Sequence, residues 1–196
     1  MKYRFMRLHG VMTNATDLHP AYVAGTWKLD PTHSDLSFSV KHLAISKVRG
    51  KFESFDVTIV TAEDPKDSTI EASIDIASVN TNQKDRDAHL RTSDFFLVDE
   101  HPTATFVSTS WEGTADEFVV TGDLTLRGVT KSIVLKGEFG GIITDGYGQT
   151  KAGATATTKF NRHDFGVSWN AALEAGGLTL GDDVTLNLDL QVVLQP

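Results

Sequence analysis

The sequence predicts an all-β, antiparallel protein of about eight strands, and three observations carry that prediction. The first is a period of two. "LSFSVKH" sets Leu36, Phe38, Val40 and His42 against Ser37, Ser39 and Lys41. "TIEASIDIAS" sets Ile70, Ala72, Ile74 and Ile76 against Glu71, Ser73 and Asp75. "VTLNLDLQVVL" alternates from Val184 through Leu186, Leu188 and Leu190 to Leu194. Strands with one buried and one wet face read this way, which is the antiparallel signature. The second observation is turn chemistry between such runs: "AEDPKDS", "EGTADE", "TDGYGQ" and "GLTLGDD". The third is their number, which suits either a closed barrel or a sandwich.

In chain order, residues 1–24 are basic and poorly patterned, and are expected to form a flexible extension ahead of one domain spanning 25–196. All three methionines, Met1, Met6 and Met12, fall in that extension, so Met12 is an alternative start. Strands are expected near 34–43, 48–60, 69–79, 104–111, 117–127, 131–143, 150–161 and 183–194. In the second of these the apolar parity switches between Phe52 and Phe55, which signals a bulge or corner. The segment 80–102 lacks alternation. Its cap-like Asn82 and Ser93 predict one or two short helices, the second carrying Phe95, Phe96 and Leu97. A helical turn is expected around 170–175 in a second irregular stretch, 162–182.

Composition excludes several functions. A net charge of -8 disfavours a nucleic-acid partner. The absence of cysteine removes disulfides, thiolate metal sites and a cysteine nucleophile. No run approaches the roughly 18 apolar residues of a membrane helix, and the N-terminus lacks a secretion pattern, so a cytoplasmic location is expected.

Two strings tempt a catalytic reading. His33, Ser34 and Asp35 are adjacent, but strand neighbours point to opposite faces, and no Gly-x-Ser-x-Gly elbow is present. Arg162, His163 and Asp164 also stand in a row, where a strand end with a local ion pair is the plainer reading. Arg162 shares the inward parity of Phe160 and could reach a ligand. None of the seven histidines forms a close metal-ligand pair, although His42, His89 and His163 could still meet in space. No metal and no cofactor is expected.

The inward faces also carry small residues: Ala72, Gly122, Gly137, Ala152, Ala154 and Ala156. They fit a cavity, or a packed core in which they accommodate Phe38, Phe52, Phe106 and Phe139. The residues alone leave both open.

The runs "GTWKLDPTHSDLSFSVKHLAISKVRGKFESF", "DAHLRTSDFF", "HPTATFVS", "VTGDLTLRGVTKSIVL" and "NRHDFGV" stand in order over about residues 25–195. In them the chain resembles the YceI-like, polyisoprenoid-binding family. The resemblance implies a single closed, lipocalin-like barrel enclosing a long apolar chain such as a polyprenyl lipid, a quinone tail or a fatty amide. It implies tail contacts from Phe38, Val40, Phe52, Phe55, Ile74, Ile76, Phe106, Leu124, Leu126, Ile133, Phe139, Phe160, Leu186 and Leu188. Leu90, Phe95 and Phe96 would close one end, and His42 and Arg162 would meet the lipid head or ordered water. The expected function is non-catalytic binding, storage or transport of an isoprenoid or similar lipid. The alternative is an enzyme using His42, His163 and Asp164. A homodimer, if formed, would have to use loops or an outer face, since a closed barrel has no free edge.

Overall fold

Alternating sequences close here into one antiparallel ring, and a computed structural model describes residues 19–114, 116–172 and 178–196 of it. Among the described residues eleven strands form: β1 (Gly25–Leu29), β2 (Asp35–His42), β3 (Ser46–Phe52), β4 (Phe55–Thr61), β5 (Thr69–Asp75), β6 (Val79–Asn80), β7 (Thr103–Gly113), β8 (Glu117–Leu126), β9 (Val129–Thr144), β10 (Thr150–Asn161) and β11 (Leu180–Leu194). The ring runs β1-β4-β5-β7-β8-β9-β10-β11 and closes where β11 pairs again with β1. Three kinked pairs reconcile eleven segments with eight barrel positions. β1 and β2 lie end to end along β11, with Trp27 opposite Leu194 and Phe38 opposite Leu186. β3 continues into β4 and β5 into β6.

The expected strand 48–60 is therefore two segments meeting at a corner, Glu53–Ser54, that turns both Phe52 and Phe55 inward. Strand β1 was not legible, because "GTWKL" is too short to show a period. Its Trp27 is 2 % exposed and donates from Nε1 to Thr61 Oγ1 at 2.9 Å.

The tempting string after β1 turns out to be a clasp. Asp30 accepts from Thr32 N at 3.0 Å and from Gln191 Nε2 at 3.0 Å, and its Oδ2 lies 3.0 Å from His33 Nδ1. Ser34 Oγ donates to Gln191 O at 3.2 Å and accepts from Gln191 N at 3.0 Å. These bonds tie the break between β1 and β2 to β11, where ladder bonding is interrupted.

Among the described residues one α-helix, α1 (Lys84–Arg91), crosses one end of the barrel. Its N-cap is Gln83, whose side chain accepts from Arg86 N, rather than the expected Asn82, which sits at φ +60°. The expected second helix is a set of tight turns over 93–97, bonded Phe95 N to Thr92 O and Leu97 N to Thr92 O. Aromatic anchoring replaces helical bonding there: the Phe52 and Phe96 ring centroids are 6.0 Å apart. The 162–182 stretch opens with a 3-10 turn, Arg162–Phe165, and residues 170–172 are not helical. The rest of the turn expected around 170–175 lies outside the described residues.

Part of the expected extension 1–24 lies among the described residues. From His19 the chain packs across the far mouth of the barrel, where Tyr22 Oη donates to Ala62 O at 2.8 Å and the His19 and Phe139 rings meet edge to face at 5.6 Å. Residues 1–18 lie outside the described residues.

Candidate functional site: an apolar bore with one polar end

The inward faces do not fill the barrel. They enclose a cavity of about 700 Å3. Every tail and cap residue named from the sequence borders it except Phe139, as do His42 and Arg162. Phe139 instead lines a second, smaller cavity of about 160 Å3, with Trp27, Tyr22, Trp111 and Ala152. A register shift between Gly153 and Ala154 breaks the parity of β9 and β10 just where Phe139 pairs with Ala154. Counting by twos from Ile133 and Leu135 still turns Phe139 inward, but its place further along β9 puts it in the second cavity rather than the first.

Both uses of the small residues occur together. Gly122 and Gly137 receive phenyl rings: a Cβ at Gly122 would overlap Phe106, and one at Gly137 would overlap Phe118. The rings thus lie against the wall. Ala72, Ala154 and Ala156 face the bore itself and leave it wide. Ile59, Ile70, Phe118, Ala154 and Leu190 line both cavities, so the two spaces are successive stretches of one bore with a partition between them.

Polar lining gathers at one end, where β2 and β10 finish and β11 begins. His42 is opposite Leu180 in the ladder, and Asn161 is opposite Asp183. His42, Arg162 and Thr179 are joined there by Gln83, Asp85, Arg86 and His89 at and near α1. Sequence reading missed Gln83, Asp85, Arg86 and Trp169. The Trp169 ring meets His89 edge to face at a centroid distance of 4.9 Å and lies 5.2 Å from Phe95, joining the loop after β10 to the cap.

Arginines fasten that cap. Arg91 donates from Nε to Ala77 O at 2.8 Å and from Nη2 to Val79 O at 3.0 Å. Arg127 reaches Ser93 O at 2.7 Å and Gly166 O at 2.5 Å. Buried Asp87 accepts from Thr81 N at 2.8 Å and Thr81 Oγ1 at 2.5 Å. The spacing of charged residues in "DAHLRTSDFF" had no visible purpose in sequence, because Arg91 bonds the carbonyls of Ala77 and Val79 and Asp87 bonds Thr81, all outside the string.

Arg162 is 4 % exposed. It donates to Gly181 O at 3.0 Å, Val167 O at 2.9 Å and Trp169 O at 2.8 Å, while its Nη2 has no hydrogen-bond partner. Burial lowers its pKa, and the neighbouring Asp182 carboxylate opposes that shift. Guanidinium stays charged across the working range. It therefore holds the loop and keeps one donor spare beside the polar end.

The hydrolytic constellation does not assemble. His42 borders the cavity, but His163 is exposed and lies 2.9 Å from Asp182 Oδ1, and Asp164 is exposed as well. His89 meets Asp94 at 2.7 Å rather than a second histidine. Among the described residues no helix is long and apolar enough to cross a membrane.

Comparison with known proteins agrees with the architecture. A family model described as a YceI-like domain matches residues 27–192. The UPF0312 protein SAS2572 of Staphylococcus aureus (strain MSSA476) is 41 % identical over 159 residues, covering 79 % of this chain and 90 % of that protein. The crystal structure of the Campylobacter jejuni YCEI protein superposes with a TM-score of 0.69 at 33 % identity, covering 86 % of this chain and 97 % of that one. A polyisoprenoid binding domain from Saccharophagus degradans, implicated in plant cell wall breakdown, shares the fold with a TM-score of 0.66 at 17 % identity, over 86 % of this chain and 98 % of that one. A barrel closed through β1, a cap on one end and a family match over nearly the whole body lead to one conclusion: the chain belongs to the YceI-like domain family.

Proposed function

We propose that this protein binds a long-chain isoprenoid or similar amphiphilic lipid inside its barrel, without chemistry, as a carrier or reservoir. The observation that carries the reading is the apolar cavity of about 700 Å3 whose polar lining gathers at its α1 end. A soluble domain that leaves so much apolar wall unpacked forfeits cohesion unless a ligand supplies the missing contacts. The polyisoprenoid binding domain of the same fold supports the choice of lipid class.

Each buried CH2 contributes about 0.8 kcal/mol, so a few isoprene units outweigh the cost of ordering a flexible tail. Phe38, Val40, Phe52, Phe55, Ile74 and Ile76, together with Leu124, Leu126, Ile133, Phe160, Leu186 and Leu188, take the tail. Arg162 Nη2 and His42 take an oxygen of the head group, which satisfies an otherwise orphaned buried donor. An apolar tube senses length and girth more than chemistry, so discrimination among tails of equal length will be weak.

The test is native mass spectrometry of the full chain as purified, followed by titration of delipidated protein with a polyprenol. A stoichiometric lipid adduct, or saturable binding, is expected. Protein that emerges empty and ignores the polyprenol overturns the reading. The enzymatic alternative loses its geometric basis with His163 and Asp164 outside the cavity lining.

A further inference from the structure

The hairpin joining β2 to β3 has chemistry that the bore does not use. Its tip exposes apolar side chains beside the polar end of the cavity: Ile45 is 85 % exposed and Leu43 36 %. Leu43 and Ala44 both sit at positive φ, +52° and +59°, a region that residues with a Cβ seldom occupy. The tip is nonetheless fixed, with Leu43 N donating to Thr179 O at 2.8 Å, and Thr179 lines the cavity.

The flanks are basic. On a chain of net charge -8, residues 41–52 carry Lys41, Lys47, Arg49 and Lys51 and no carboxylate. Val40, His42 and Val48 face the bore, so these alternate residues stand on the outer wall, and all four are exposed. Lys41 is directly opposite Lys47 in the ladder. Like charges placed so repel and weaken the pair unless an anion lies against them. Among the described residues only Lys51 of the four forms an ion pair, with Glu53 at 3.8 Å.

We propose that this hairpin docks on an anionic bilayer surface, holding the polar end of the bore at the membrane while a lipid passes. Leu43 and Ile45 enter the boundary between head groups and acyl chains, and Lys41, Lys47 and Arg49 meet lipid phosphates. The purpose of docking rests on the lipid-binding reading above; the docking itself does not.

The test measures co-sedimentation of the full chain with phosphatidylcholine vesicles and with vesicles of equal parts phosphatidylcholine and phosphatidylglycerol. Binding to the anionic vesicles is expected to exceed binding to the neutral ones by about tenfold and to weaken with salt. Ile45→Asp, and separately Lys41→Glu with Lys47→Glu, should each remove most of that gain, with unchanged circular dichroism and melting. Neither variant touches the bore. Uptake of a polyprenol from anionic vesicles should slow in both, while final occupancy loaded from cyclodextrin stays at the wild-type level.

Wild-type protein that ignores anionic vesicles, or variants that bind them undiminished, would overturn the docking. So would binding to bacterial membranes that disappears when their proteins are stripped, since the hairpin would then serve a protein partner. Failure of cyclodextrin loading in the wild type refutes the lipid-binding reading instead, so the two can fail separately.

Discussion

Phe118 sets how far a ligand can travel along the bore. Its ring stands on Gly137 and belongs to the lining of both cavities, so replacing it with alanine joins about 700 Å3 to about 160 Å3. Two effects follow, of opposite sign. Complete loss of a buried phenyl costs about 3–5 kcal/mol. Phe118 is only partly buried and already borders empty space on two sides, so the ligand-free protein should lose roughly 2 kcal/mol. A tail long enough to use the added space gains about 0.8 kcal/mol for each CH2 it buries there. Two such groups exceed the 1.4 kcal/mol that makes a tenfold difference in affinity. The assay is competition between a short and a long polyprenol for Phe118→Ala and wild-type protein, read by native mass spectrometry, with urea unfolding of each. The long-to-short preference should rise about tenfold, while Phe118→Trp should lower it. An unchanged preference in a folded Phe118→Ala protein would refute the reasoning, because the tail would then not reach the partition at all.

Three further outcomes are expected. Ala156→Leu places a larger side chain on the bore wall, so it should raise the melting temperature of the empty protein and abolish saturable polyprenol binding; a variant that binds normally would show that the lipid sits elsewhere. Arg162→Met strips three backbone carbonyls of their donor and should cost about 3 kcal/mol or more, roughly a 10 °C fall in melting temperature by circular dichroism, with Arg162→Lys restoring only part; an unaltered melt contradicts the anchoring role. Asp30 is held below its ordinary carboxylate value of 3.8 chiefly by the His33 side chain, against opposition from burial, with help from Thr32 N and Gln191. Below pH 3.8 the unfolded carboxyl therefore binds more protons than the folded one. Asp30 contributes stability that is full above that value and declines as pH falls through its lower folded value. Asp145, lowered first by the Gln149 amide, acts in the same direction. Urea midpoints compared at mildly and strongly acid pH should fall more steeply for wild type than for Asp30→Asn, and equal slopes would remove Asp30 from the account.

Much of the barrel was legible because its information is local. Period-two alternation marks which side chains share a face, and β2, β5, β8 and β11 present to the bore the residues their parity assigns. The corner between Phe52 and Phe55 was visible as a parity switch, since a bend that keeps both phenyls inward must break the count. The second helix was misread because Ser93 and the Phe95–Phe96 pair satisfy a capping pattern, whereas ring contacts with Phe52 and Trp169 hold those residues in turns.

The sequence by itself determined an antiparallel β body, the eight positions of its barrel, the facing of most of its side chains and, through its motif order, its family. Tertiary structure alone decided three things. It closed the ring through β1, whose five residues carry no period. It sorted the small residues into ring slots at Gly122 and Gly137 and open wall at Ala72 and Ala156. It placed inward-facing Phe139 in the second stretch of the bore, beyond the Phe118 partition. The reason is common to all three. Parity says only whether a side chain points inward, and what it meets there depends on strand register and on rings from strands distant in sequence.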